Sequence, residues 1–130
     1  MIAKQKNYRG PLREKSPITA QDVFTAYEQN DELAVQVLGE AIAFWGMASA
    51  NLISLFNPEK LVFGGGVFGP ATQFLDAIAA EAARWAQPIA FKRVSFAASQ
   101  LGGDAALHGA AYLALRAARL LGPHGAAEKS

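Results

Sequence analysis

Residues 60–70 read KLVFGGGVFGP. A short run, Lys60 to Phe63, apolar from Leu61 onward, leads into three consecutive glycines, and a fourth follows at Gly69. Val and Phe between breakers predict a strand. Pro70 then opens a stretch with Phe74, Ile78, Ala82 and Trp85 at helical spacing, which predicts a helix over 70–85. Proline suits a first helical turn, where its missing N–H costs nothing. One or two glycines serve a tight turn. Three in a row leave bare backbone N–H groups at a helix start, a setting that favours an anion or a nucleotide. The order of letters, GGGVFG, also matches the dinucleotide pattern G-x-G-x-x-G. That pattern belongs to the first strand of its unit, and the next strand should end in an acid. Here the next strand ends FAAS, so a dinucleotide fold is disfavoured.

Working outward, ITAQDVFTAYEQND (18–31) carries a helix start, with Thr19 as cap and Asp22 in the capping-box position. Asn30 and Asp31 stop that helix and can cap the next. The next is the longest element, about Glu32 to Phe56. Leu33, Val37, Leu38, Ala41, Phe44, Trp45, Ala48, Leu52 and Leu55 recur at helical spacing. Gly39, Ala43, Gly46 and Ala50 form a second stripe of small residues. A helix-interior glycine costs about 1 kcal/mol against alanine, so the stripe predicts a backbone packed closely there, within the lobe or at a subunit interface. The helix is apolar nearly all round, which predicts cover on both sides. Asn57-Pro58 ends it, because the residue before proline avoids the helical region. FKRVSFAAS (91–99) predicts a second strand, QLGGD a glycine turn with Asp104 as N-cap, and a final helix runs to Leu121.

The fold class is therefore α/β, in the order helix, helix, strand, helix, strand, helix. The strand-helix-strand unit should be parallel with a right-handed crossover. Two strands make a small sheet for so many helices, so the reading is one side of a larger lobe. Residues 1–17 are basic, carry Gly10, Pro11 and Pro17, and read as an arm or linker. Residues 18–121 read as the lobe and 122–130 as a flexible tail.

Composition bounds the function. The chain has 130 residues, 52% of them apolar, with 12 Lys and Arg against 11 Asp and Glu. A formal net charge of +1 gives no electrostatic footprint for nucleic acid or an anionic membrane. There is no cysteine, hence no disulfide and no thiolate metal site. No uninterrupted apolar run approaches the roughly 18 residues of a membrane span, and the start lacks a secretory signal, so a cytoplasmic protein is the default. His108 reads as packed or half-exposed rather than a ligand. Trp45 and Trp85 read as core. Lys92 and Arg93 read as a solvated face.

Three pieces carry a more specific signal: ITAQDVFTAYEQNDELAVQVLGEA, then ANLISLFNPEKLVFGGGV, then ASQLGGDAALHGAAYLAL. Together they resemble the C-terminal part of the ROK family, which comprises sugar kinases such as bacterial glucokinases and related repressors. The resemblance implies a partial ribonuclease-H-like lobe of the actin and hexokinase type, with ATP and magnesium in the cleft between lobes. It places Gly64, Gly65, Gly66 and Val67, with Phe68 beside them, at the adenosine side of the nucleotide. It implies pairing into a homodimer through this lobe. A kinase of this family also needs a phosphate-binding loop, a catalytic aspartate and a histidine-cysteine zinc cluster. No motif for these stands in the chain, so no catalytic or metal residue is assigned and the chain alone is expected not to transfer phosphate. Two alternatives remain beside the kinase reading: the oligomerisation or effector region of a ROK-type repressor, and a stand-alone dimerisation module.

Overall fold

The computed structural model describes residues 8–118. Seven elements follow in order: α1 (Ala20–Glu28), α2 (Glu32–Phe56), β1 (Lys60–Phe63), α3 (Leu75–Ala83), α4 (Pro88–Phe91), β2 (Ser95–Ala98) and α5 (Ala105–Ala117). Short 3-10 turns at Gly66–Phe68, Pro70–Phe74 and Gly102–Asp104 join them. The two strands pair in parallel, Lys60 with Ser95 through Phe63 with Ala98. The chain is thus a helix-rich α/β unit with a small parallel sheet.

Local chemistry sets the boundaries. At α1, Thr19 and Asp22 form the full capping box: the Asp22 amide donates to Thr19 Oγ1 at 3.2 Å and the Thr19 amide donates to Asp22 Oδ2 at 2.9 Å. Asp31 caps α2 by accepting from the Ala34 amide at 2.9 Å. Asn57 ends α2, but not in the extended conformation that a following proline favours. It adopts the left-handed form at φ 44°, as asparagine can at a helix C-terminus.

Two predicted elements are shorter than the sequence implied. The helix expected over 70–85 begins as a 3-10 turn, and its α-helical part covers only Leu75–Ala83. The strand expected over 91–99 is confined to Ser95–Ala98. Pro88 and the Gln87 side chain, which accepts from the Ala90 amide at 2.7 Å, start a helical turn that takes in Phe91. The final helix is described as far as Ala117; Leu121 and the tail lie outside the described residues.

Helix α2 is the spine. Leu33 and Ala34 join Leu12 and Ala26 at one end. Leu38 joins Phe24, Ala71, Phe74 and Ile78 in the middle. Ala50 and Ile53 join Ala82 and Ala86 at the other end. Gly46 lets α3 approach: a Cβ there would lie 2.6 Å from the Cβ and Cγ of Glu81. The small-residue stripe therefore works at Gly46, but not at Gly39, which has open space around it.

Three further expectations are corrected. Helix α2 is covered on one face, while Val35, Phe44, Leu52, Leu55 and Phe56 on the rest of its surface are exposed. By length and composition α2 would also suit a membrane span, with a window of mean hydropathy 1.4. The core helix of a soluble protein passes the same criterion, and here its buried face is occupied by α1, α3 and their linkers. Trp85 is 58% exposed rather than core, its indole N–H held by Glu81 Oε1 at 2.8 Å. Finally, the segment read as an arm is packed from Tyr8 onward: Leu12 is buried, and the Tyr8 hydroxyl donates to Asp31 Oδ2 at 2.9 Å. Residues 1–7 lie outside the described part.

Candidate nucleotide-side loop

The site is built from the carboxyl ends of two adjacent parallel strands. In open α/β sheets this is where ligands bind, because the loops there leave a crevice between them. Beyond β1 come Gly64, Gly65 and Gly66; beyond β2 come Ser99 to Gly103. The Ser99 amide donates to the Phe63 carbonyl at 2.7 Å, so the ladder continues one step past the strands and holds the loops side by side. The Ser99 hydroxyl accepts from the Leu101 amide at 3.2 Å and turns the second loop.

The three glycines play different parts. A Cβ on Gly64 would meet the Ser99 Cβ at 3.0 Å, so glycine here permits the two loops to touch. Gly65 sits at φ 90° and ψ 175°, a conformation that other residues adopt only under strain. Gly66 starts the 3-10 turn, closed by the Phe68 amide donating to the Gly65 carbonyl at 3.0 Å. Around the Cβ positions of Gly65 and Gly66 there is nothing within 4 Å. Their backbone is bare toward open space, a surface on which a flat ring or a phosphate can lie. In the second loop, Gly102 has φ 55° and Gly103 is likewise open.

The two residues after the glycines part company. Val67 is 44% exposed beside the open backbone. Phe68 turns inward, with its ring 5.1 Å from Trp45 and 5.0 Å from Phe63 between centroids. It supports the loop from below, beside an apolar cleft of about 260 Å³ lined by Trp45, Leu52, Val62 and Gly64 among others. Asp104 occupies the predicted N-cap position of α5, yet its side chain makes no capping hydrogen bond. His108 is exposed and lines a shallow groove with Leu101, Gly109 and Tyr112. Among the described residues no cluster of three or more His, Asp or Glu is placed to hold a metal. Ser99 heads the stretch SQLGGD (99–104) that carries part of the family resemblance, but its role in joining the two loops was not read from the sequence. Its position directly after a strand and three residues before a glycine was the available signal.

Residues 2–117 match the ROK family. The chain belongs to the ROK family. Within it, the chain is 35% identical over 96 residues to a glucokinase of Halalkalibacterium halodurans, a match covering 74% of this chain and 29% of that protein. Among solved structures, it resembles a ROK family transcriptional regulator, described as a homolog of the E. coli MLC protein. That likeness has a TM-score of 0.61 and 25% identity over 71% of this chain and 23% of the regulator. A putative sugar kinase from Cytophaga hutchinsonii superposes with a TM-score of 0.72 at 19% identity, over 88% of this chain and 38% of the kinase, and shows the shared fold. The ROK chain described here thus spans under a third of the length of the curated glucokinase it matches.

Proposed function

We propose that this chain is the C-terminal, nucleotide-side portion of a ROK-type sugar kinase, part of a ribonuclease-H-like lobe. The observation that carries the reading is the bare backbone of Gly65 and Gly66 at the carboxyl end of a parallel strand, open beside exposed Val67. That surface suits the adenosine of ATP. The 35% identity to a glucokinase supports the kinase branch.

Geometry divides the labour. Gly64, Gly65, Gly66 and Val67 hold the adenosine side, and Ser99 fixes the opposing loop. ATP with magnesium would supply the transferable phosphoryl group. This chain's own residues contribute binding and orientation, since it carries no assigned base, phosphate cradle or metal ligand. In isolation it binds without transferring phosphate. In a ROK-type repressor the same loop would persist as shape alone, and in a stand-alone dimerisation module it would bind nothing. A cytoplasmic setting follows from a substrate such as ATP.

Titration calorimetry with ATP, ADP, adenosine and inorganic phosphate tests the proposal. Adenosine should retain most of the ATP affinity and phosphate should show none. Equal binding of phosphate, or no binding of any adenine compound, would contradict it.

A further inference from the structure

The loop after β1 is short of anchors. Residues 64–70 number seven, four of them glycine, and glycine backbone loses more freedom on ordering than any other. The two ends of the loop are fixed. Phe63 lies in the ladder, and beyond the loop Ala71 and Phe74 are buried, with Thr72 Oγ1 donating to the Gly69 carbonyl at 2.7 Å. Between those ends, Phe68 is the side chain that turns into the core. Its amide donates to the Gly65 carbonyl at 3.0 Å, so the seat of its ring and the backbone of Gly65 and Gly66 are set together.

That seat has two sides. One is the sheet the loop leaves: Phe68 lies 5.0 Å from Phe63, which stacks on Phe96 of β2 at 5.7 Å. The other is α2, where the Trp45 ring lies 5.1 Å from Phe68. Trp45 stands on a well-fixed part of α2. Its neighbour Gly46 is where α3 closes on the helix, and the Ser49 hydroxyl donates to the Trp45 carbonyl at 2.7 Å. We propose that Trp45 is a positioning residue for the nucleotide loop: through Phe68 it holds Gly65 and Gly66 in the receiving conformation before any ligand arrives. A glycine-rich loop ordered only on binding would lose affinity to the entropy of its ordering, and a loop already ordered does not. Trp45 touches the ligand nowhere in this scheme; it acts through one aromatic contact. What the loop binds rests on the nucleotide reading above, whereas how it is held does not.

The test reads amide exchange at position 68 in the full chain without ligand, then adenosine affinity by calorimetry. Trp45→Leu keeps an apolar side chain and should speed exchange at position 68 at least about fivefold relative to the amide of Ala82 in α3. Trp45→Phe keeps a ring and should restore most of the protection. Leu38→Ala, a core loss two turns earlier on the same helix, should lower stability without singling out position 68. Because Trp45 acts through Phe68, combining Trp45→Leu with Phe68→Leu should loosen the loop no more than Phe68→Leu alone, where independent packing losses would add. Adenosine affinity should fall about fivefold in Trp45→Leu and recover in Trp45→Phe. A Trp45→Leu loop no looser than that of Leu38→Ala, additive effects in the double variant, or a loosened loop with undiminished adenosine affinity would each overturn the proposal. A wild type that binds no adenosine would overturn the nucleotide reading instead, and the exchange rates would still decide whether Trp45 holds the loop.

Discussion

A Cβ placed on Gly64 would lie 3.0 Å from the Cβ of Ser99, with the Ser99 hydroxyl 3.5 Å away. That approach joins the loops that follow the two strands, and the first prediction concerns it. Gly64→Val should force the loops apart and weaken ATP binding at least about tenfold. Gly65→Val should do the same by a different route, because a β-branched residue is strained at φ 90°. Val67→Ser should have a smaller effect. Calorimetric titration of the three variants orders them.

The two helix glycines of α2 should behave oppositely. A Cβ added at Gly46 would lie 2.6 Å from the Glu81 side chain and 3.1 Å from the Ala82 amide nitrogen. Gly46→Val should therefore destabilise by roughly 1–3 kcal/mol through overpacking. Gly39 has no atom within 4 Å of a Cβ, so Gly39→Ala should stabilise by about 0.5–1 kcal/mol. Urea denaturation measures both, and m-values should stay unchanged.

Leu12 is 3% exposed and packs with Ala26, Leu33 and Ala34. Leu12→Ala should cost about 2–4 kcal/mol. A loss below about 0.5 kcal/mol would return the segment to the status of a loose arm.

The Asp22 carboxyl is held well below its usual range, chiefly by the Thr19 hydroxyl, then by the Thr19 amide and Lys15. Glu81 is lowered as well, first by the Trp85 indole N–H and then by Arg84. A depressed folded-state pKa gives stability that is present above the unfolded value near 4 and is lost as pH falls through the folded value. Melting temperature should therefore drop below about pH 4. The gap between wild type and Asp22→Asn should be full at pH 7 and close progressively in acid.

Much of this fold was legible because local chemistry and tertiary structure agree. Thr19 with Asp22, and Asp31 before an apolar run, mark helix starts that the structure keeps. The triple glycine after Lys60–Phe63 marks a strand end whatever its use. The errors came where a local signal was weak or two competed. Phe91 and Phe96 suggested one strand, but Pro88 and Gln87 nucleate a turn that claims the first of them. Pro70 suggested an α-helical start, yet the turn after the glycines is 3-10 until Phe74. Apolar periodicity cannot say which of two apolar faces is buried, so the exposure of Phe44 and Leu55 on α2 was hidden. At the site, glycine content revealed the open backbone. The contact of Gly64 with Ser99 was not readable, because it arises from strand register across residues far apart in sequence.

The most direct measurement is the amide chemical-shift response of the labelled chain to ATP. The account predicts shifts concentrated at Gly64, Gly65, Gly66 and Val67, with a second group at Ser99 to Gly103, and adenosine reproducing most of them. An unchanged spectrum at millimolar ATP, or shifts centred elsewhere in the chain, would contradict the assignment of this loop to the nucleotide.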